Sequence, residues 1–354
     1  MNVPMTHFFN RPVRVLIVDD SPSMRAVLGK ILGSDPCIEV VGAAPDPHVA
    51  RTLIKQLNPD VLTLDVEMPG MNGIEFLEKL MRLRPMPVVM CSSLTARDTD
   101  IAIEAMRLGA VECIAKPAGG PQAMRRDAHL LCDTVKAAAR STIRRIDHHM
   151  RHVAPQGPRP DPDKVIAIGA STGGVEALFS LLTNLPAQIP PTLVVQHMPG
   201  AFTANFAARL NNFCPMNVVH ASDGQPIEAG TVYIAPGTDT HMELRGGRGG
   251  RIRLSKGDPV SGHRPSVDKL FQSCVDLRDA AVGIIMTGMG SDGAEGLAAM
   301  RKAGATTLGQ DEASCVIYGM PKAAKVRGAV TQEHSLSALP KAILRACGAL
   351  QGVN

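Results

Sequence analysis

Short, largely apolar runs that alternate with amphipathic stretches begin at Val13, and they restrict the possible folds more than any other feature of the sequence. Runs of this kind are typical of strands that are buried on both faces of a parallel sheet. They are Val13–Val18, Ile38–Ala43, Val61–Leu64, Val88–Cys91 and Val111–Ala115. Helical patterns lie between them at Ser23–Leu32, Val49–Leu57, Ile74–Leu83 and Asp100–Leu108. This alternation predicts one complete α/β domain with a doubly wound parallel sheet.

The character of the sequence changes after residue 122. A helical stretch over 123–139 is followed by a basic, histidine-containing segment over 140–152 and by a proline-rich segment over 155–163. Because closely spaced prolines cannot hold a helix, the last segment is expected to be extended. We therefore predict a first domain, a linker that is helical and basic and then proline-rich, and a second domain, over residues 12–122, 123–163 and 164–350.

The second half repeats the α/β pattern and adds a hairpin. Apolar runs predict strands at Val165–Gly169, Leu193–Gln196, Val218–His220, Val232–Ala235 and Val282–Thr287. Helical patterns follow at Val175–Leu185, Ala201–Leu210, Ser266–Leu277 and Gly293–Lys302. A β-hairpin is predicted from Met242–Leu244 and Ile252–Leu254, joined by the glycine-rich loop Arg245–Arg251. The expected fold class is thus α/β, with a flavodoxin-like first domain and a Rossmann-like second domain that carries a β-hairpin.

Composition excludes several classes of function. The chain of 354 residues has a net charge of +4, no tryptophan and two tyrosines, which does not favour a nucleic-acid-binding surface. The apolar runs are too short for membrane insertion. The eight cysteines are scattered singly and no signal peptide precedes the first strand, so a reducing cytoplasmic location is expected.

Polar side chains cluster at the predicted strand ends of the first domain. Asp19 and Asp20 follow the first strand, and Asp65 ends the third. Ser92 follows the fourth strand and Lys116 the fifth. Because the carboxyl ends of parallel strands meet at one sheet edge, the three carboxylates should repel one another unless a cation such as Mg²⁺ lies among them. The hydroxyl and the ammonium group could bind phosphoryl oxygens there.

The motifs V-L-I-V-D-D, T-L-D-V-E-M-P-G-M-N-G, V-V-M-C-S-S and A-K-P carry a resemblance to response-regulator receiver domains over residues 13 to about 120. The resemblance implies phosphorylation on Asp65, with Asp19 and Asp20 sharing a Mg²⁺ ion with that residue. It also implies that Ser92 and Lys116 contact the phosphoryl group.

One position departs from the receiver pattern. Receivers often carry an aromatic residue three places before the lysine, and this chain has Cys113 there. An aromatic-rotamer switch is therefore not expected, whereas the phosphorylation chemistry is.

The second domain contains Gly169-Ala-Ser-Thr-Gly-Gly174 between an apolar strand and a helical pattern. Glycines on both sides of Ser171 would permit a sharp turn that exposes a nucleophilic hydroxyl. The same turn could also cradle an anion, or its serine could simply cap the helix. The glycine spacing does not match the dinucleotide-binding fingerprint.

A serine nucleophile needs a base, and the residues alone leave several choices open. His197 and Asp292 follow strands whose ends lie at the same sheet edge as Ser171. The rival bases are His220 late in a strand, His241 in a turn before the hairpin, and His263; the rival acids are Asp268 and Asp311. An α/β-hydrolase would place its acid before its histidine, so the order Ser-His-Asp does not favour that family.

The segments I-G-A-S-T-G-G, V-V-Q-H-M-P, Y-I-A-P-G, G-H-R-P-S-V-D and M-T-G-M-G-S-D-G resemble the catalytic domain of chemotaxis protein-glutamate methylesterases, over residues 164 to about 348. The resemblance implies Ser171 as nucleophile, His197 as general base and acid, and Asp292 as the orienting carboxylate. It further implies Met289 as the backbone oxyanion donor, with Thr172 and His263 near the site.

The combined resemblance implies a phosphorylation-activated hydrolase that removes methyl groups from glutamyl esters of chemoreceptors and deamidates receptor glutamines, with no cofactor for the ester step. The implied partners are methyl-accepting chemoreceptors and a chemotaxis histidine kinase as phosphodonor. A binding module that has lost catalysis is the alternative from another class, against which the intact serine, histidine and aspartate argue. A transcriptional regulator is not favoured, because the second half lacks a helix-turn-helix pattern.

Overall fold

The computed structural model describes residues 11–68, 70–92, 96–117, 121–141 and 160–349. The chain divides into two compact units, Met1–Asp147 and His148–Asn354. The basic and proline-rich parts of the predicted linker fall largely on residues 142–159, which lie outside the described residues.

The first unit contains one parallel sheet of five strands with the order β2-β1-β3-β4-β5. Its strands are β1 (Val13–Val18), β2 (Ile38–Ala44), β3 (Val61–Asp65), β4 (Val88–Ser92) and β5 (Glu112–Ala115). Its helices are α1 (Pro22–Gly33), α2 (Pro47–Leu57), α3 (Gly73–Leu83), α4 (Ala96–Arg107) and α5 (Pro121–Ala138). The flavodoxin-like α/β fold predicted from the apolar runs is confirmed.

Side-chain caps explain where three of these helices begin. Ser21 accepts a hydrogen bond from the N–H of Met24 at the start of α1. Asp46 accepts from the N–H groups of His48 and Val49 at the start of α2. Asn72 accepts from the N–H of Glu75 at the start of α3. Such caps satisfy backbone donors that have no partner within the helix, so each helix starts directly after the loop that leaves its strand.

Helix α5 packs as part of the first unit, whereas the sequence analysis assigned residues 123 onward to a linker. Lys136 on α5 forms a 2.8 Å ion pair with Asp35, and Leu131 and Val135 are buried. Leu131 and Val135 therefore pack within the first unit, although Leu130 beside them is exposed. A helical pattern rich in alanine and arginine did not reveal this packing.

The second unit is built on a parallel sheet of seven strands with the order β14-β13-β12-β6-β7-β9-β8. The strands are β6 (Val165–Ala170), β7 (Thr192–Gln196), β8 (Asn217–His220), β9 (Thr231–Ile234), β12 (Ala281–Ile285), β13 (Thr306–Gln310) and β14 (Gln332–His334). An antiparallel hairpin joins β10 (Thr240–Arg245) to β11 (Arg251–Lys256). The helices are α6 (Gly174–Thr183), α7 (Gly200–Phe213), α8 (Val267–Ser273), α9 (Ala294–Lys302), α10 (Met320–Val326) and α11 (Leu339–Ala346), with a 3₁₀ turn at Val275–Ala280.

The last part of the chain adds β13, α10, β14 and α11, none of which the sequence patterns had indicated. Thr306–Gln310 has a single large apolar residue, Leu308, and Gln332–His334 has none. Strands at the edge region of a sheet need fewer apolar residues, so hydrophobic periodicity fails to detect them.

Both sheets reverse their direction of growth at a central pair of strands. In the first sheet this switch point lies between β1 and β3, and in the second it lies between β6 and β12. Crevices for ligands form at the carboxyl ends of the strands that flank such a point. Among the described residues, no helix is both long enough and apolar enough to cross a bilayer.

Candidate active sites

The carboxyl ends of β6, β7 and β12 bring together the three residues of the predicted triad. Ala170 and Gln196 are register partners, so Ser171 and His197 follow neighbouring strand ends. Gly169 pairs with Ile285 at the end of β12, from which the chain continues to Asp292. The predicted edge therefore exists and carries all three side chains.

Ser171 lies in a tight turn that is fixed by backbone hydrogen bonds. Its N–H donates to the carbonyl of Thr287 at 3.0 Å, and its own carbonyl accepts from the N–H of Gly174 and from Nε2 of Gln196. A Cβ on Gly288 would lie 2.7 Å from that of Ser171, so the exit loop of β12 can approach the serine this closely only with glycine there.

His197 pairs with Asp292 through Nε2, which lies 2.9 Å from Oδ2 of the carboxylate. A carboxylate can only accept, so Nε2 carries the proton and Nδ1 has the lone pair. The Nδ1 atom is buried and finds no hydrogen-bond partner among the described residues. The ring therefore keeps one unpaired nitrogen, and its residue follows the strand next to the one that precedes Ser171.

Asp292 is fully enclosed by donors at the start of α8. Its Oδ1 accepts from Oγ of Ser266 at 2.8 Å and from the N–H of Asp268, while its Oδ2 accepts from the N–H of Val267 at 2.8 Å. Burial alone would raise the pKa of Asp292, but the hydrogen bond and charge of His197, followed by the donors of α8, outweigh burial and lower the pKa to about 2. The group is therefore a fixed anion at any working pH.

The rival bases have other partners. His220 bonds to Oγ1 of Thr203 at 3.0 Å. His241 lies within β10 and not in the turn before the hairpin where the sequence analysis placed it. Its Nδ1 accepts from the N–H of Ser266 and its Nε2 donates to the carbonyl of Asp258, so both ring nitrogens are used.

The rival acids are also engaged elsewhere. Asp268 accepts from the N–H of Gly296 at 2.7 Å, and Asp311 accepts from the N–H and the hydroxyl of Ser314 within its own loop. Neither carboxylate is hydrogen-bonded to a histidine ring among the described residues.

His263 stacks face to face on His197, with ring centroids 3.8 Å apart and planes 6° from parallel. Burial and the neighbouring His197 lower the pKa of His263 to about 4. The stacked ring is thus neutral at ordinary pH, and it limits the rotation of the His197 ring without adding a charge beside it.

Met289 and Thr172 follow two residues that lie against each other, because a Cβ on Gly288 would lie 2.7 Å from that of Ser171. Among the described residues, no acceptor is found for the N–H of Met289 or for that of Thr172. The carbonyl of Thr172 accepts from Oγ1 of Thr287 at 3.0 Å, which fixes the peptide beside the serine. Both amides are suited to stabilise an oxyanion, because a fixed donor costs no reorganisation.

Ser266 and Gln196 support the site but were not predicted, whereas His241 was considered only as a rival base. Ser266 caps α8 and also binds Asp292, and Gln196 holds the Ser171 carbonyl. A serine before the amphipathic stretch Val267–Leu277 is a recognisable capping signal. Its contact with Asp292 could not be read, because it joins residues 26 positions apart.

The first unit gathers its predicted acidic residues at the switch point between β1 and β3. Carboxylate oxygens of Asp19, Asp20 and Asp65 lie within 4.8 Å of one another. Nζ of Lys116 lies 3.0 Å from Asp19 and 2.8 Å from Asp65. Three oxygen donors of this kind, two of them buried, fit a Mg²⁺ ion that keeps waters in its remaining positions.

Burial and mutual contacts shift the pKa values of Asp65 and Lys116 in this cluster. Burial is the largest influence on Asp65 and raises its pKa, although Lys116 acts in the opposite direction. Burial would lower the pKa of Lys116, but its bonds to Asp65 and Asp19 outweigh burial and raise it. The predicted residues Ser92, at the end of β4, and Cys113, in β5, are both buried.

Comparison with known proteins identifies both units. Residues 166–343 match the CheB methylesterase family, and residues 15–126 match the response regulator receiver domain family. A protein-glutamate methylesterase/protein-glutamine glutaminase 1 of Caulobacter vibrioides is 54% identical over 94% of this chain and 97% of its own length. A protein-glutamate methylesterase/protein-glutamine glutaminase of Agrobacterium fabrum is 51% identical over 94% of this chain and 96% of its own length.

A solved structure resembles the second unit. The crystal structure of the Thermotoga maritima CheB methylesterase catalytic domain aligns with a TM-score of 0.50 and 34% sequence identity. The alignment covers 51% of this chain and 97% of that domain.

Proposed function

This chain belongs to the CheB methylesterase family and carries a receiver domain, and from that premise we propose that it hydrolyses glutamyl γ-methyl esters and deamidates glutamines in protein substrates. The observation that carries the proposal is the arrangement of His197. One ring nitrogen, Nε2, is hydrogen-bonded to the buried anion Asp292, and the other, Nδ1, has no partner among the described residues. His197 and Ser171 directly follow Gln196 and Ala170, which are register partners on neighbouring strands.

In the first step, Oγ of Ser171 attacks the ester carbonyl while Nδ1 of His197 takes the hydroxyl proton. The new C–O bond moves the carbonyl electrons onto oxygen, where the N–H groups of Met289 and Thr172 stabilise the negative charge. The imidazolium then gives its proton to the departing methoxide. Methanol leaves, and an acyl-enzyme on Ser171 remains.

In the second step, a water molecule gives its proton to Nδ1 of His197 and attacks the acyl carbon. The tetrahedral intermediate collapses, the proton returns to Oγ of Ser171, and a glutamate carboxylate is released. A glutamine substrate follows the same route with ammonia as the leaving group. Asp292 stays ionised throughout, because its pKa is about 2, and it stabilises the imidazolium in both steps.

We assign control of the activity to phosphorylation of Asp65 in the receiver domain. Asp19, Asp20 and Asp65 would hold Mg²⁺, whose charge offsets that of the incoming phosphoryl group. Lys116, already 2.8 Å from Asp65, and Ser92 would bind phosphoryl oxygens. The added charge and hydrogen-bonding capacity can reorganise the surface around this site.

The substrates we propose are the cytoplasmic parts of methyl-accepting chemoreceptors, with a chemotaxis histidine kinase as phosphodonor. The proposal rests on the activities named for the relatives and on the receiver domain. A cytoplasmic location agrees with cysteines that are all present as free thiols.

The decisive experiment measures methanol release from methylated receptor membranes, with and without a small phosphodonor and Mg²⁺. We compare the wild type with Ser171→Ala, Asp65→Asn and the control Ser222→Ala, which changes an exposed loop serine of the same domain. We expect Ser171→Ala to release no methanol and Asp65→Asn to keep a basal rate that the phosphodonor does not raise.

The control Ser222→Ala should match the wild type in both conditions. Methanol release by Ser171→Ala, or none by the wild type, would show that the catalytic proposal is wrong. A phosphodonor response in Asp65→Asn would contradict the assignment of control to that residue. Labelling with a serine-reactive phosphonate should add mass only to the peptide that contains Ser171.

A further inference from the structure

The hairpin β10–β11 and its loop carry four arginines, Arg245, Arg248, Arg251 and Arg253, which we call the arginine face. All four are exposed. None of them belongs to the catalytic site described above. Together they concentrate positive charge on one part of the surface of the second unit.

The two faces of the hairpin differ in their roles. Met242, Leu244 and Ile252 are buried and belong to the hydrophobic core of the second unit. The alternate positions point outward, so Arg245 and Arg251 stand directly opposite each other as a cross-strand pair. Like charges in such a pair are destabilising, which makes their presence a cost to the fold.

The protein itself leaves most of this charge unbalanced. Glu243 is the cross-strand partner of Arg253, but its Oε2 accepts from Oγ of Ser255 at 2.8 Å. Arg251 donates to the carbonyl of Gly224. Within the described part of the chain, no carboxylate lies within ion-pair distance of Arg245, Arg251 or Arg253.

Arg248 has a weak partner in Asp163. The two groups are 3.9 Å apart, and both side chains are more than half exposed. Exposed pairs of this kind contribute about 1 kcal/mol or less, so Arg248 also remains available to another anion.

A cavity of about 490 Å³ opens against this face, lined in part by Arg245, Arg251, Arg253 and Asp223. One oxygen of Asp223 accepts from the N–H of Leu254, so this acidic group is fixed to the backbone. Backbone hydrogen bonds fix the cavity wall, because the edge of β11 that does not pair with β10 bonds to the segment 224–227. Ile252 bonds to Gly224 and Gln225, and Gly250, just before the strand, accepts from Ile227. The backbone that carries the arginines is thus held in place on both sides.

The other end of the hairpin leads into the catalytic site. His241 in β10 accepts from the N–H of Ser266, whose hydroxyl binds Asp292. Arg245 lies four positions beyond His241, which corresponds to about 13 Å along β10. A protein segment that reaches the catalytic site could therefore continue along the hairpin to the arginine face.

We propose that the arginine face binds the carboxylates of glutamates that neighbour the scissile ester on the substrate protein. The inference rests on the proposed function. Hydrolysis and deamidation both leave a glutamate carboxylate, so a substrate with several such positions becomes more acidic with each turnover. Guanidinium groups bind carboxylates through paired hydrogen bonds, which suits this recognition.

The test compares the KM for the receptor substrate with the rate of hydrolysis of a small ester. The double variant Arg245→Glu/Arg253→Glu is matched by Lys341→Glu/Arg345→Glu, which makes the same change in charge at exposed positions of α11. KM and kcat are measured for methylated receptor membranes at low and high salt, and kcat/KM is measured for p-nitrophenyl acetate. A third variant, Arg245→Lys/Arg253→Lys, preserves the charge.

We expect the hairpin charge reversal to raise the KM for receptor at least tenfold at low salt, with kcat and small-ester hydrolysis unchanged. High salt should raise the KM of the wild type towards that of the variant, since screening weakens exposed charge pairs. The lysine variant should have a KM between those of the wild type and the charge reversal, because it keeps the charge but loses the paired hydrogen bonds. The α11 control should stay within about threefold of the wild type.

An unchanged KM in the hairpin variant, or an equal rise in the α11 control, would overturn the inference. A wild type that hydrolyses the small ester but releases no methanol from receptor would instead refute the proposed substrate. These outcomes separate failure of the arginine face from failure of the proposed function.

Discussion

At the scale of the residue, the catalytic proposal depends on the carboxylate of Asp292 and on the donors that surround it. Each of its hydrogen bonds comes from an N–H or O–H group. An asparagine would point an NH₂ group at some of these donors and could not hold His197 with the proton on Nε2.

We therefore expect Asp292→Asn to lower kcat by roughly 10⁴-fold, as in other serine hydrolases whose triad carboxylate is removed. Steady-state hydrolysis of a small ester measures the effect. Asp311→Asn is the matched control and should keep full activity, because among the described residues the Asp311 carboxylate accepts only from Ser314 in its own loop. Near-normal activity of Asp292→Asn would mean that another group orients His197.

His263 gives a prediction for stability against pH. The pKa of His263 is about 4 in the folded chain and about 6.5 in the unfolded chain. Between these two values the unfolded chain therefore binds a proton at His263 that the folded chain does not bind. The contribution of His263 to the free energy of unfolding is therefore complete above pH 6.5. It is lost as the pH falls towards 4, and the loss is at most about 3 kcal/mol.

His263→Phe keeps a planar ring against His197 but cannot be protonated. The free energy of unfolding of this variant, measured in urea at pH 7.5 and 4.5, should fall less on acidification than that of the wild type. Equal falls in the two proteins would show that His263 does not resist protonation.

At the scale of the element, contact between β6 and α8 fixes the catalytic geometry. A Cβ on Gly169 would lie 2.1 Å from Cγ1 of Val267, the first residue of α8. The absence of a side chain at Gly169 therefore allows the start of the helix, with its donors to Asp292, to lie directly over the strand that carries Ser171.

We expect Gly169→Ala to destabilise the second unit by about 1–3 kcal/mol and to reduce activity, because the added methyl group displaces α8. Adding Val267→Ala should restore part of both losses by making room. Gly33→Ala is the control, since a Cβ there meets no atom within 4 Å. Urea unfolding and small-ester kinetics report the two effects, and a variant with no loss in either would contradict this packing argument.

At the scale of the whole molecule, each of the two units has its own sheet and its own core. We expect calorimetry to resolve two unfolding transitions. Leu64→Ala removes a fully buried side chain from β3, and Leu193→Ala removes one from β7.

Each of these substitutions should destabilise its own unit by about 2–5 kcal/mol and lower only that transition. Each variant serves as the control for the other. A single transition that both substitutions lower equally would show that the units unfold together.

The extent to which sequence predicted the molecule differs from one element to another. The apolar runs of both sheets, the hairpin and the glycine-flanked Ser171 were predicted close to their observed bounds, because buried strands and tight turns impose local composition. The strands β13 and β14 were missed because their few apolar residues leave no periodic pattern. Helix α11 was missed although Leu339 and Ile343, which are buried, lie at helical spacing, so its pattern was present in the sequence. Helix α5 was detected as a helix, but its packing on the first unit was not.

By itself, the sequence determined the fold class and the strand ends at which chemistry could occur, because burial and backbone geometry act over a few neighbouring residues. It left His197, His220, His241 and His263 as alternative bases. The family resemblance implied His197, and the tertiary structure supports that choice by assigning hydrogen-bond partners to His220 and His241 while Nδ1 of His197 has none among the described residues. The reason is physical, since hydrogen bonds between residues distant in the chain depend on strand order and register, which no local pattern encodes.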